Sequence, residues 1–176
     1  MLGAGTGCKN LHRIDGDWWR SAQPKPEWLH DFVKEKEIKV ILNLRGAHPG
    51  DRDYDREVAA AGALGVPVVG IAMSPSRPME RETLLLLLDF LEDHGGESVL
   101  VHCKAGSDRS GLVAFLYLVE VRGWDHRRAR RKALSVWYGH FRCPLNPWAT
   151  PEMDRFAEDW KSAAWAREHY GLKPRE

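Results

Sequence analysis

The chain has 176 residues, with 43% apolar residues, 29% charged residues and a formal net charge of +1. This length suits one domain able to bury its own core. The near-neutral balance excludes bulk attraction to nucleic acid, so any affinity for anions must be local. The three cysteines, Cys8, Cys103 and Cys143, form no Cys-x-x-Cys pair and no zinc-spaced cluster. That argues against a disulfide framework and predicts a reducing, cytoplasmic setting with a thiol free for chemistry. The longest apolar run, residues 84–88, is too short to cross a membrane. Residues 1–8 are Gly-rich and lack a basic stretch followed by an apolar one, so residues 1–14 read as a flexible tail. Thr6-Gly7-Cys8 faintly resembles the end of a lipoprotein signal, which leaves a periplasmic or membrane-anchored location as the alternative.

In chain order, residues 18–22 read as a short strand closed by Gln23-Pro24. Pro26 opens a helix with Trp28, Leu29, Phe32 and Val33 on one face. Residues 40–44 form an apolar strand stopped by Arg45-Gly46, and an Ala-rich helix after the polar stretch 50–55 ends at Gly65. A third strand, 66–71, runs into a Pro/Ser loop at 72–78. A helix over 80–94, capped by Gly95-Gly96, precedes a buried strand at 99–101. Residues 103–109 read as a loop, with Ser110 as the cap of an apolar helix reaching Val121.

Trp124-Asp125 starts an amphipathic helix whose inner face is Ala129, Ala133, Val136 and Trp137. After a loop at 144–151, a last helix carries Met153, Phe156, Ala157, Trp160 and Ala164 at helical spacing. Strands alternating with helices predict one α/β domain over residues 1–176. Its central sheet is expected to be mixed and largely parallel, flanked by helices, with a phosphate-binding loop between the last strand and a helix.

The informative stretch is His102-Cys103-Lys104-Ala105-Gly106-Ser107-Asp108-Arg109-Ser110-Gly111. A buried strand delivers a cysteine to a loop, and an arginine follows just before a helix. Thiols at helix N-termini are the reactive ones, because backbone N–H groups there favour the thiolate. The same N–H groups form a nest for phosphate. A planar guanidinium grips two phosphoryl oxygens, and Gly106 lets the backbone bend around the anion. Ser110 offers a hydroxyl to the sulfur. An isolated cysteine is more often a small core residue, but the strand, the two glycines, the arginine and the hydroxyl together favour the nucleophile.

This stretch resembles the signature of the protein tyrosine phosphatase superfamily, His-Cys-x-x-Gly-x-x-Arg-Ser/Thr-Gly, at every defined position. Residues 19–24, 41–46 and 138–140 resemble the bacterial dual-specificity-like branch. The resemblance implies hydrolysis of phosphate monoesters through a phosphocysteine on Cys103. Arg109 would bind the phosphoryl group, and residues Lys104, Ala105, Gly106, Ser107, Asp108, Arg109 and Ser110 would line the phosphate site. It implies no cofactor or metal, and a phosphorylated protein, lipid or small molecule as partner, with no nucleic acid. A lysine at position 104 is similar to that of inositide and lipid phosphatases, or else it points to solvent. His102 would brace the loop. Arg45 either faces the pocket or caps a neighbouring element, and Arg77 falls where relatives carry a mobile catalytic loop. The basic run Arg127, Arg128, Arg130, Arg131 and Lys132 reads as a solvated helix face.

The general acid is where the chain departs from the family pattern. Relatives carry an aspartate on the loop equivalent to residues 72–78, and this stretch has no carboxylate. Glu80 and Glu82 read as first-turn helix residues. Asp108 remains, similar to the aspartate of myotubularin-like lipid phosphatases; the alternative is that it orients Arg109 or caps the helix. Two other classes compete for the whole chain. A silent phospho-binding module would have lost the cysteine or the arginine, and a rhodanese-like sulfurtransferase has no need of Arg109.

Overall fold

A computed structural model describes residues 9–140 and 149–169. Cys8, Cys143 and most of the expected loop at 144–151 lie outside the described residues. Five strands, β1 (His12–Asp15), β2 (Trp18–Ser21), β3 (Val40–Asn43), β4 (Val68–Gly70) and β5 (Val99–His102), form one sheet in the order β1-β2-β5-β3-β4. The β1–β2 pair is antiparallel and the other pairs are parallel. The expected mixed, largely parallel α/β sheet is what the chain builds.

β5 is the central strand, and all four of its residues are buried. Such continuous apolar runs suit a parallel strand covered on both faces. Its side chains alternate between two cores. Val99, Val101 and Cys103 join Val40 and Leu42 against the helices α3 (Arg81–His94), α4 (Asp108–Leu116) and α6 (Ala149–Asp159). Leu100 joins Ile41 against α1 (Pro26–Lys36) and α2 (Arg52–Gly62), through Leu29, Phe32, Val33 and Ala61. Burying each such side chain contributes roughly 1.5–3 kcal/mol. The same alternation sends His102 toward α2 and Cys103 toward α4.

Helix starts follow local chemistry. Pro26 occupies the first turn of α1, and the Asp51 carboxylate accepts from the N–H groups of Asp53 and Tyr54 at 3.1 and 3.0 Å to open α2.

Four expectations are corrected. Residues 12–15 pair with β2 rather than trailing as tail, and Asn10 is held by two backbone carbonyls. Helix α4 begins at Asp108 with Ser107 at its N-cap, because the Ser107 carbonyl accepts from Gly111 N–H at 2.8 Å. Ser110 is therefore inside the first turn. Helix α5 (His126–Ala133) stops before Val136 and Trp137, which are 67% and 87% exposed. The Ser135 hydroxyl accepts from Trp137 N–H at 3.3 Å and turns residues 136–138 into a short 3-10 segment. Finally, the last helix is two, α6 and α7 (Ala163–His169), with Ala164 exposed and Ala166 buried. Glu120 causes the break by accepting from Trp160 Nε1 at 2.8 Å and Ala163 N–H at 3.0 Å.

Candidate active site

Parallel α/β sheets place their sites at the carboxyl ends of the strands, where chain direction diverges. Here that point is the end of β5, flanked by β2 and β3 with Ser21 and Asn43 both in register with His102. Cys103 follows directly, 2% exposed.

The loop after Cys103 has its carbonyls tied down one after another. The Lys104 carbonyl accepts from Gln23 N–H at 3.4 Å, and the Ala105 carbonyl from the Asn10 amide at 3.0 Å. The carbonyls of Gly106 and Ser107 both accept from Arg20 Nη2, at 3.0 and 2.6 Å. In a planar trans peptide the next N–H points opposite to the carbonyl. Fixing these four carbonyls outward therefore turns the N–H groups of residues 105–108 inward, as a nest for an anion. One of them, Gly106 N–H, meets the Cys103 sulfur at 3.2 Å. The Ser110 hydroxyl lies 3.7 Å from the same sulfur. Gly106 is obligatory here: its φ is +73°, and a Cβ would come within 2.5 Å of Ala22 N.

Arg20 is 1% exposed and also donates through Nη1 to the Ala133 carbonyl at 2.6 Å. Burial pulls its guanidinium down to about 10, opposed by the charge at Cys103, Tyr138 and Asp108. It stays cationic at neutral pH. Its ring partner is Tyr138, 4.9 Å from the guanidinium carbon, and it needs Gly111, where a Cβ would sit 3.0 Å from Nη2. The sulfur thus lies among N–H donors, a helix N-terminus and a buried cation.

Arg109, in the first turn of α4, donates from Nη1 to the Leu44 and Met73 carbonyls at 3.3 and 3.4 Å. These anchors sit just past β3 and β4, so the guanidinium is held at the sheet edge beside the nest. Lys104 and Ala105 are exposed, Ser107 and Ser110 are buried, and Asp108 is half-buried.

Asp108 also faces a histidine from a later part of the chain. His140 Nδ1 lies 2.8 Å from Asp108 Oδ1, and His140 Nε2 lies 3.3 Å from Asp154 Oδ1. Arg130 approaches Asp154 at 3.6 Å.

Behind Cys103, on the other face of β5, His102 Nε2 lies 2.6 Å from Glu57 Oε1, with neither side chain exposed. The approach is at ion-pair distance but outside hydrogen-bond directions. Glu57 Oε2 accepts from Asn43 Nδ2 at 2.9 Å and Gln23 Nε2 at 3.1 Å. The Gln23 carbonyl oxygen in turn accepts from Arg45 Nη1 at 2.7 Å. Arg45 therefore braces the Gln23 side chain, and it also lines a cleft. That cleft, about 500 Å³, is lined by Arg45, His48, Ser74, Arg77 and Glu80. Among the described residues no cluster of three or more His, Cys, Asp and Glu side chains is placed to hold a metal ion. Among them, too, no helix is long and apolar enough to cross a membrane.

Arg20, Glu57 and His140 carried no assigned role in the sequence. Arg20 was detectable: it lies two residues from Trp18 on the same face of a buried strand. Glu57 sits four residues before Ala61 on the buried stripe of α2. Nothing in the sequence marks the contact of His140 with Asp108.

Two relatives and one solved structure give the context. A Pseudomonas aeruginosa protein, dual specificity protein phosphatase TpbA, is 30% identical over 120 residues, covering 68% of this chain and 51% of the relative. Inositol diphosphatase DSP3 of Arabidopsis thaliana is 27% identical over 118 residues, covering 65% of this chain and 56% of the relative. The chain thus spans about half the length of the curated relatives it matches. A crystal structure of TpbA in complex with phosphotyrosine superposes with a TM-score of 0.65 at 21% identity, covering 93% of this chain and 91% of the other. Residues 22–155 match the model of the Swiss Army Knife protein DSP-PTPase phosphatase domain. That match takes in β3 to β5, the nest and His140, and the chain belongs to that family of dual-specificity-type phosphatase domains.

Proposed function

We propose that this chain hydrolyses phosphate monoesters through a phosphocysteine on Cys103. The observation that carries this reading is the set of inward N–H groups with Cys103 at its centre, 3.2 Å from Gly106 N–H. The phosphoryl oxygens take those N–H groups and the Arg109 fork, and the thiolate attacks phosphorus in line. The S–P bond forms as the P–O bond to the leaving group breaks, and Asp108 gives the leaving oxygen a proton. Water then attacks phosphorus, its proton passes to Asp108, and the sulfur departs as thiolate with the Ser110 hydroxyl donating to it. Inorganic phosphate is released.

The first substrate class is phosphoprotein, supported by kinship with a dual specificity protein phosphatase and by that protein's phosphotyrosine complex. A specific observation supports a second class, inositol or lipid phosphates. The cleft beside Arg109 gathers Arg45, His48 and Arg77, which suits a substrate with more than one phosphate.

The test is Cys103→Ser. Turnover of para-nitrophenyl phosphate should fall by about a thousandfold or more, while inorganic phosphate still binds. Retained turnover within tenfold of the parent would sink the phosphocysteine route. Parallel rates on phosphotyrosine peptides and phosphoinositides separate the two substrate classes.

A further inference from the structure

We infer that Asp108 and His140 work as one proton carrier, with His140 the positioning residue that stores and returns the proton Asp108 delivers; this rests on the phosphatase reading above. The geometry comes first. Asp108 opens α4 at the rim of the nest, and its side chain is 19% exposed, so a leaving-group oxygen can reach it. Its other neighbour is an imidazole that is only 3% exposed and is held at both nitrogens.

The groups around the ring come from three elements. Asp108 faces Nδ1 from α4, Asp154 faces Nε2 from α6, and Arg130 of α5 lies beyond Asp154. The buried charge of Arg20 also acts on Asp108. The His140 backbone is tied as well, since its N–H donates to the Ser135 carbonyl at 3.2 Å. A histidine whose second nitrogen is held by a carboxylate keeps one orientation and is a better proton acceptor at the first.

The proton balance closes. Before reaction the pair holds one transferable proton along the 2.8 Å contact between Nδ1 and Oδ1. When the P–O bond breaks, the leaving oxygen takes that proton, leaving a carboxylate beside a neutral imidazole. When water attacks the phosphocysteine, its proton returns to the pair. The pair is thus restored without any further donor.

The experiment compares the parent with His140→Gln, Asp154→Asn and Asp108→Asn on two substrates across pH. One is an alkyl phosphate, whose leaving oxygen needs a proton; the other is para-nitrophenyl phosphate, whose leaving group does not. His140→Gln should cut alkyl-phosphate kcat by about tenfold or more and affect the aryl substrate much less. The alkaline limb of the alkyl-phosphate profile should move to lower pH, and Asp154→Asn should move it the same way by less. Asp108→Asn should show the same substrate split as His140→Gln, but larger. Equal losses on both substrates with an unmoved limb would make His140 a structural support and overturn the inference. A parent inactive on both substrates would overturn the phosphatase reading itself, a separate result. Thermal melting accompanies each variant; if His140→Gln fails to fold, Asp154→Asn decides the matter, since it leaves the Asp108–His140 contact in place.

Discussion

Two loops meet at Arg109, and they are built on opposite plans. In the loop after Cys103, four consecutive carbonyls are taken by Gln23, Asn10 and Arg20, and Gly106 is packed against the backbone of residues 21–22. In the segment 72–80, Ala72, Ser76, Arg77, Pro78 and Glu80 are exposed. Its hydrogen bonds are fewer, among them Met73 N–H to the Leu44 carbonyl at 3.2 Å and Ser76 N–H to the Ser74 hydroxyl at 3.3 Å. The two share one tie, from Arg109 to the Met73 carbonyl. The nest is thus fixed from below, while the segment beside it is left adjustable. Loops with few buried contacts are the ones that reshape at low cost.

The contrast can be broken most directly at Arg20. Arg20→Met strands the carbonyls of Gly106, Ser107 and Ala133 without their donor, and unsatisfied buried groups of this kind cost about 1–3 kcal/mol each. Urea unfolding should show a loss of roughly 3–5 kcal/mol. Turnover should fall even where the protein stays folded, and a loss below about 1 kcal/mol would mean that the loop holds its shape unaided. Gly106→Ala is the next perturbation. The added Cβ meets Ala22 N at 2.5 Å, so the loop must shift, and misplacement near 1 Å lowers kcat by about a hundredfold. A crystal structure of this variant with unmoved N–H groups and full kcat would refute the rigid half of the comparison.

The smallest effect is expected on the adjustable side. Arg77→Ala should leave para-nitrophenyl phosphate turnover within about threefold. It should raise KM for a multiply phosphorylated inositol by about two- to fivefold, the scale of an exposed ion pair. A large kcat loss on the aryl substrate would place Arg77 with the reacting atoms and sharpen the comparison in the other direction.

How much of this was legible varies with the range of the interaction. Continuous apolar runs gave β3 and β5, and the cysteine–arginine spacing marked the nest, because both are set by neighbours in sequence. β1 escaped notice since its apolar face amounts to Ile14 alone, and the strand exists only by pairing with β2. Val136 and Trp137 fit a helical spacing, but a side-chain cap at Ser135 ended the pattern first. The partners of Asp108, Arg109 and the nest carbonyls lie on other elements, at separations in sequence that no local pattern encodes. His140 is 32 residues from Asp108, and Arg20 is 86 from Gly106. Arg45 and Glu57 were readable as residues but not as a chain of contacts running from the cleft to the back of β5.

The alternation along β5 also constrains how this chain can change over generations. Cys103 and His102 serve opposite faces of one sheet, the first toward α4 and the second toward Glu57. Deleting or inserting one residue in the strand would exchange the two sides, burying the thiol against a carboxylate and leaving the imidazole at the nest. Single-residue length variation is therefore closed to this strand. Lineages of the domain must vary their lengths elsewhere, in turns where no strand face is exchanged.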